Sequence, residues 1–128
     1  MNENRGNVYE FSHSVIDAGA DIVFGSGPHV TRAVELYKGK FIAYSLGNFC
    51  TYGKFGLGGQ LGITPIIKVY INAKGDFVKA EVTSVKQIKR GFPVIDETGK
   101  AFSTLQKLTE SDFPETELIF EGNEIKRK

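Results

Sequence analysis

The chain is short of several things. It has one cysteine, Cys50, in 128 residues, and an internal disulfide needs two. A lone thiol fits a reducing compartment without defining one. No apolar run approaches the ~20 residues of a membrane-spanning helix. The opening residues 1–6 are polar and lack the basic-then-apolar pattern of a secretory signal; a signal carried by a longer parent would lie upstream of them. Charge of one sign is missing as well, since 16 Lys and Arg stand against 15 Asp and Glu, net +1. That balance gives no electrostatic case for nucleic acid or an acidic membrane surface. The basic end, Lys126-Arg127-Lys128, is too short to alter this and reads as a solvated tail. Histidine is scarce: His13 and His29 are the only two.

What is present is ordinary for one soluble domain with a real core, at 41% hydrophobic and 24% charged residues. Asn7 followed by Glu10 resembles a capping box, and Val8, Phe11, Ser12, Val15 and Ile16 repeat at helical spacing up to a stop at Gly19. An amphipathic helix is expected over 7–18. Ile22-Val23-Phe24 is a continuous apolar run, the pattern of a strand covered on both faces, as in a parallel sheet. A hairpin follows, with Val34 and Leu36 on one arm, a connection at Tyr37–Phe41 and a return strand at Phe41–Tyr44. Residues 50–62 hold five glycines without the spacing of a phosphate fingerprint, and read as a mobile loop. In the second hairpin, Ile67, Val69 and Ile71 alternate with polar residues, the turn is at Ala73–Asp76, and Val78, Ala80 and Val82 return on the dry face. Pro93 marks an edge strand or loop, Phe102, Leu105 and Leu108 a short helix near 100–110, and Leu118–Phe120 a last short strand. The expected class is α/β, or α+β for these residues taken alone.

Ligands of α/β proteins sit beyond the carboxyl ends of parallel strands. The loop leaving the first strand, Gly25-Ser26-Gly27-Pro28-His29, stands at such an end. A histidine there offers a ring nitrogen to a metal or a phosphoryl oxygen, although a loop histidine is also ordinary surface. Asn48, ending the return strand, approaches the same rim or simply closes a turn.

The stretches VIDAGADIVFGSGPHV and RAVELYKGKFIAYSLGNF resemble the C-terminal part of the bacterial capsule-synthesis proteins, the poly-γ-glutamate synthesis or CapA-type family. That family falls in the metallophosphoesterase-like superfamily. The resemblance is dense over about 8–52, and GITPIIKVYIN fits the family's trailing hairpin more loosely. It implies the end of a layered α/β sandwich at 1–52, a glycine-rich loop at 53–62, and a hairpin and short-helix extension of the same domain at 63–128. It implies that His29 is a metal ligand, with Ser26, Gly27 and Asn48 near phosphate or substrate. Ser26 stands where the family's first loop histidine usually is, and serine is a poor transition-metal ligand. The family's other ligands come from N-terminal strands with no counterpart here. A two-metal centre needs several protein groups, so divalent metals are expected in a complete protein and none on this chain, which is expected to be inactive alone.

The remaining polar residues have bland readings. His13 reads as helix-surface packing, Asp17 as exposed, and Asp21 as a turn group at the wrong end of its strand. Arg32 and Glu35 read as wet-face charges, Ser45 as structural, and Cys50 as a thiol without an activating partner. Tyr37, Tyr44, Tyr52 and Tyr70 are half-buried strand residues or the lining of a sugar or peptide face. Three functions follow: an enzyme segment of capsule or exopolymer synthesis, a non-catalytic accessory domain in polymer assembly or export, or a β-rich binding module. The expected partners are a missing N-terminal part of the same fold or a second copy, and other exopolymer-synthesis proteins. The resemblance suggests the bacterial cell envelope or an extracytoplasmic location.

Overall fold

A computed structural model of the protein describes residues 6–53 and 56–128. The polar opening residues 1–5 and two positions of the glycine-rich loop, 54 and 55, lie outside them. Helix α1 (Val8–Asp17) starts where Asn7 Oδ1 accepts from the Glu10 amide at 3.1 Å, and ends at Ala18 before Gly19 turns left-handed at φ +109°. Its expected apolar stripe divides. Ser12 and Ile16 are buried, while Val8 is half exposed and Phe11 is 68% exposed.

Strand β1 (Ile22–Phe24) leads to the hairpin of β2 (Val34–Tyr37) and β3 (Lys40–Ala43). Lys38 and Gly39 both take positive φ, +50° and +78°, the two-residue turn whose twist matches the strands it joins. β3 returns beside β1 and pairs with it in parallel, Val23 opposite Ile42, giving the sheet order β1-β3-β2. The parallel partner of β1 thus lies within the chain, in the return arm of the hairpin. One expectation for β1 is corrected: among the described residues it is an edge strand and is not wholly covered, with Ile22 and Val23 part-buried and Phe24 about half exposed.

A 3-10 turn (Gly59–Gly62) opens the second sheet, built from β4 (Ile63–Ile71), β5 (Phe77–Lys89), β6 (Phe92–Ile95), β7 (Leu118–Glu121) and β8 (Glu124–Arg127). The order is β4-β5-β8-β7, and β6, with Pro93, pairs with the far end of β5. Between Tyr70 and Ile71 the register slips by one residue, so Phe77 takes the core position that alternation assigns to Val78, and Val78 faces solvent. The basic C-terminus is no tail. It belongs to β8, where Ile125 is fully buried, Lys126 pairs with Glu124 and Glu121, and Arg127 pairs with Glu117.

Helix α2 (Lys100–Asp112) has Gly99 at its cap position without a side-chain bond. The buried Asp96 carboxylate takes that role, accepting from the Lys100 amide at 3.4 Å and the Thr98 hydroxyl at 2.8 Å. Those donors hold its carboxyl below the usual carboxylate range, the Thr98 hydroxyl most of all. One core joins both sheets and α2: Val34, Phe41, Ala43, Phe77, Ala80, Val82, Leu105, Leu118 and Ile125. Among the described residues no helix is long and apolar enough to cross a membrane.

Candidate functional site at the mouth of the first strand

Two loops leave the parallel pair β1 and β3 on the same side. Gly25 passes so close to β3 that a side chain has no room. A Cβ there would press on the Tyr44 carbonyl oxygen and lie 2.8 Å from its carbon. The close pass is fixed by the Gly25 amide donating to Ala43 O at 2.6 Å and the Leu46 amide to Gly25 O at 3.3 Å. Farther out, Thr31 and Leu46 form a bridge, and the Arg32 amide donates to Ser45 O at 2.9 Å. The Thr64 hydroxyl donates to Leu46 O and the Thr31 hydroxyl to Ile63 O at 3.4 Å, which ties both loops to the second sheet.

This stitching brings His29 and Asn48 together. His29 Nδ1 lies 2.8 Å from Asn48 Oδ1. The Asn48 amide nitrogen donates to His29 O at 3.1 Å and Leu61 O at 3.0 Å. Asn48 is 4% exposed, and its own carbonyl accepts from Gln87 Nε2 at 3.1 Å. His29 holds φ +63°, a left-handed conformation that a non-glycine residue keeps only when its surroundings impose it.

Ser26 lies apart from this pair. It is exposed and lines a groove of about 650 Å³ together with Phe11, Phe24, Arg32, Tyr44 and Phe113; neither His29 nor Asn48 reaches that groove. Gly27 sits between the two, at φ +141°. Asp21 is at the opposite end of β1, bonded to Lys40 at 2.9 Å. Asp17 is exposed, and the Lys38 ammonium at 2.6 Å holds its carboxyl below the usual range. Cys50 is exposed, with its thiol 3.4 Å from Gly91 O. The four tyrosines do not form one face: Tyr37 and Tyr44 lie together on the first sheet, Tyr70 belongs to the second, where Lys68 and Lys79 sit over its ring, and Tyr52 is 80% exposed.

A second cluster has no signal in the sequence. His13 is not a surface residue. Its ring stacks against Tyr37 at 3.6 Å and Tyr9 at 4.0 Å, and its Nε2 reaches Glu35 Oε2 at 2.9 Å. Glu35, expected on a wet face, is only 12% exposed at its side chain and also accepts from the Tyr44 hydroxyl at 2.5 Å. Burial and that carboxylate push the Tyr44 phenol upward. The cluster clasps α1 to the first sheet.

The donor set at the strand mouth does not by itself fit a metal centre. It supplies one imidazole. Asn48 Oδ1 is committed to that imidazole, and Ser26 offers only a hydroxyl. Among the described residues no group of three His, Cys, Asp or Glu side chains converges.

A parallel strand pair whose two outgoing loops converge on histidine and asparagine, next to a short helix, defines the class of this segment: the end of an α/β layer with His29 and Asn48 at its rim. Residues 2–52, less than half of the chain, match the family model of the bacterial capsule synthesis protein. The PGA biosynthesis protein CapA of Bacillus subtilis (strain 168) is 44% identical over 48 residues, which are 38% of this chain and 13% of that protein. The capsule biosynthesis protein CapA of Bacillus anthracis is 53% identical over 36 residues, 28% of this chain and 9% of that protein. The probable polyglutamine synthesis accessory protein Rv0574c of Mycobacterium tuberculosis (strain ATCC 25618 / H37Rv) is 47% identical over 38 residues, 30% of this chain and 10% of that protein. The matched stretch thus spans a small part of each relative.

Proposed function

We propose that this chain serves capsule or poly-glutamate biosynthesis as one part of a ligand site, and that it completes the site with groups from outside these 128 residues. The reading rests on one observation: His29 and Asn48 meet at the carboxyl end of β1, inside the segment that matches the capsule-synthesis family. The completed site resembles a metal-dependent phosphoesterase, in which His29 binds a divalent cation or a phosphoryl oxygen. Alone, one imidazole has too few neighbours to carry a two-metal hydrolysis, so the chain turns nothing over. Nuclear magnetic resonance of the 15N-histidine-labelled chain tests this. Mn2+ or inorganic phosphate is expected to perturb the His29 ring and leave His13 unmoved. An unperturbed His29 with both probes contradicts the reading.

The open edge of β1 supports the partner side of the proposal. β1 pairs only with β3 among the described residues, and Val8, Tyr9, Phe11 and Phe24 are about half exposed or more beside it. An unpaired edge flanked by apolar side chains takes up a further strand, supplied by the rest of the fold or by a second copy. Gel filtration of the chain is expected to show self-association; a concentration-independent compact monomer contradicts it.

The same surface supports a second reading, a non-catalytic accessory domain in polymer assembly. There Ser26, exposed at the groove, takes no metal. The Mn2+ arm of the resonance experiment separates the two readings.

A further inference from the structure

Charge is even over the whole chain but not along it. Residues 84–95 carry three cations, Lys86, Lys89 and Arg90, and no acidic side chain. They build the far end of β5, the turn and β6, with Gly91 at φ +72°. Lys86 is engaged by the buried Asp96 at 3.5 Å, whereas Lys89 and Arg90 are exposed and bond to no acidic side chain among the described residues. Large apolar side chains stand beside them. Ile88 is 59% exposed and Phe92 63%, with Phe92 directly opposite Lys89 across the hairpin. The strongly exposed Tyr52 ring lies over Gly91, where an added Cβ would be 3.3 Å from its Cδ2. This exposure is not looseness. The Gly91 amide donates to Thr51 O at 2.9 Å and the Thr51 amide to Gln87 Oε1 at 2.8 Å, so the tip and the loop beside it are held as one piece.

We infer that this hairpin tip is a membrane-contact site that seats on a bilayer bearing anionic lipid headgroups. Lys89 and Arg90 meet the headgroups, while Ile88, Phe92 and the Tyr52 ring enter the layer between headgroups and acyl chains. Each part of the patch selects this occupant. Two cations with no acid beside them favour a negatively charged surface. A soluble acidic polymer would satisfy them as well, but it is hydrated along its length and gives Ile88 and Phe92 nothing to enter. Those side chains gain only where they leave water. Tyrosine, with an apolar ring and a polar tip, suits the same depth. Lysine and arginine reach headgroups while their stems lie on apolar surface. A patch of this size holds the chain at the surface of a bilayer and does not cross it. Ile88, Lys89, Arg90 and Phe92 lie outside the residues 2–52 that match the capsule-synthesis family, so the inference stands apart from the reading of His29.

The test is flotation of the 128-residue chain with lipid vesicles. The chain is expected to bind vesicles of phosphatidylcholine and phosphatidylglycerol in equal parts, to ignore vesicles of phosphatidylcholine alone, and to let go as salt rises. Lys89→Gln together with Arg90→Gln is expected to weaken binding about 25-fold, about fivefold for each charge. Phe92→Ser is expected to weaken it about 10-fold or more. The chain has no tryptophan, so Phe92→Trp places a lone indole at the tip, and its emission is expected to shift to the blue on anionic vesicles. Failure to bind anionic vesicles overturns the inference. So does binding that either the double charge variant or Phe92→Ser keeps in full, or an indole whose emission stays that of water. Retention of the chain by immobilised poly-glutamate, with no binding to vesicles, also overturns it and reassigns the tip to an acidic polymer. Circular dichroism checks that the variants fold; if one does not, wild-type flotation and the indole emission decide.

Discussion

Gly25→Ala is the sharpest perturbation of the strand mouth. The added methyl would press on the Tyr44 carbonyl and lie 3.0 Å from Ala43 O. Both are backbone atoms of β3 and the loop after it, with no rotamer change to relieve them. Relief requires the Gly25 segment to move away, which stretches the bonds Gly25 N to Ala43 O and Leu46 N to Gly25 O. Losing two such bonds costs about 1 kcal/mol each, and overpacking against fixed atoms adds about 1–3 kcal/mol. The expected destabilisation is therefore about 3–5 kcal/mol, a large share of the ~5–15 kcal/mol that holds a domain of this kind together. Urea unfolding followed by circular dichroism measures it as a drop in midpoint at constant slope. The His29 ring signals, which depend on the same loop, are expected to shift as well. A loss below about 1 kcal/mol with an unchanged His29 would refute the close-approach reasoning.

Other outcomes are expected elsewhere. Ile125→Ala, at a fully buried β8 position, should cost about 2–5 kcal/mol; a neutral effect would restore the solvated-tail reading. Val78→Thr should change the unfolding free energy from urea titration by no more than about 0.5 kcal/mol, because the bulge turns Val78 outward, whereas Val82→Ala at a buried position should cost about 2 kcal/mol. Glu35→Ala leaves the part-buried Tyr44 hydroxyl and His13 without their acceptor, at about 1–3 kcal/mol each, and thermal melting should show it. Acid should destabilise the chain. Asp96 is depressed chiefly by the Thr98 hydroxyl, and Glu124 is drawn down to about 2 by Lys126 and Lys79. A depressed carboxyl adds stability above its unfolded pKa, about 4, and loses it as pH falls through the folded value. The urea midpoint is expected to fall below about pH 4, less so in Asp96→Asn; a midpoint that rises there would contradict the sign.

Local chemistry made much of this fold readable. Asn7 and Glu10 announce α1, the alternation from Ile67 to Ile71 announces β4, and Leu105 lies on the buried stripe of α2. What was not readable depends on register and neighbours. Alternation counts residues one by one, so a single slip between Tyr70 and Ile71 moves Val78 to the wrong face. β8 has one buried apolar residue, Ile125, among charges, and is a strand because β5 and β7 offer it backbone partners. Glu35 sits at a polar alternation position, yet α1 covers it and His13 answers it from 22 residues away. For the site, sequence marked His29 and Asn48 as residues at strand ends. Their contact needs the parallel pairing of β1 with β3, which no local pattern carries. Gln87, the brace behind Asn48, is one more polar residue on a long strand until the two sheets share a core.

The central claim is that the strand mouth holds one properly posed imidazole and needs outside groups to become a reactive centre. Phosphate-ester hydrolysis by the purified 128-residue chain in saturating Mn2+ tests it most directly. The expected result is no turnover above buffer. Enzyme-like turnover that is abolished by His29→Ala would contradict it.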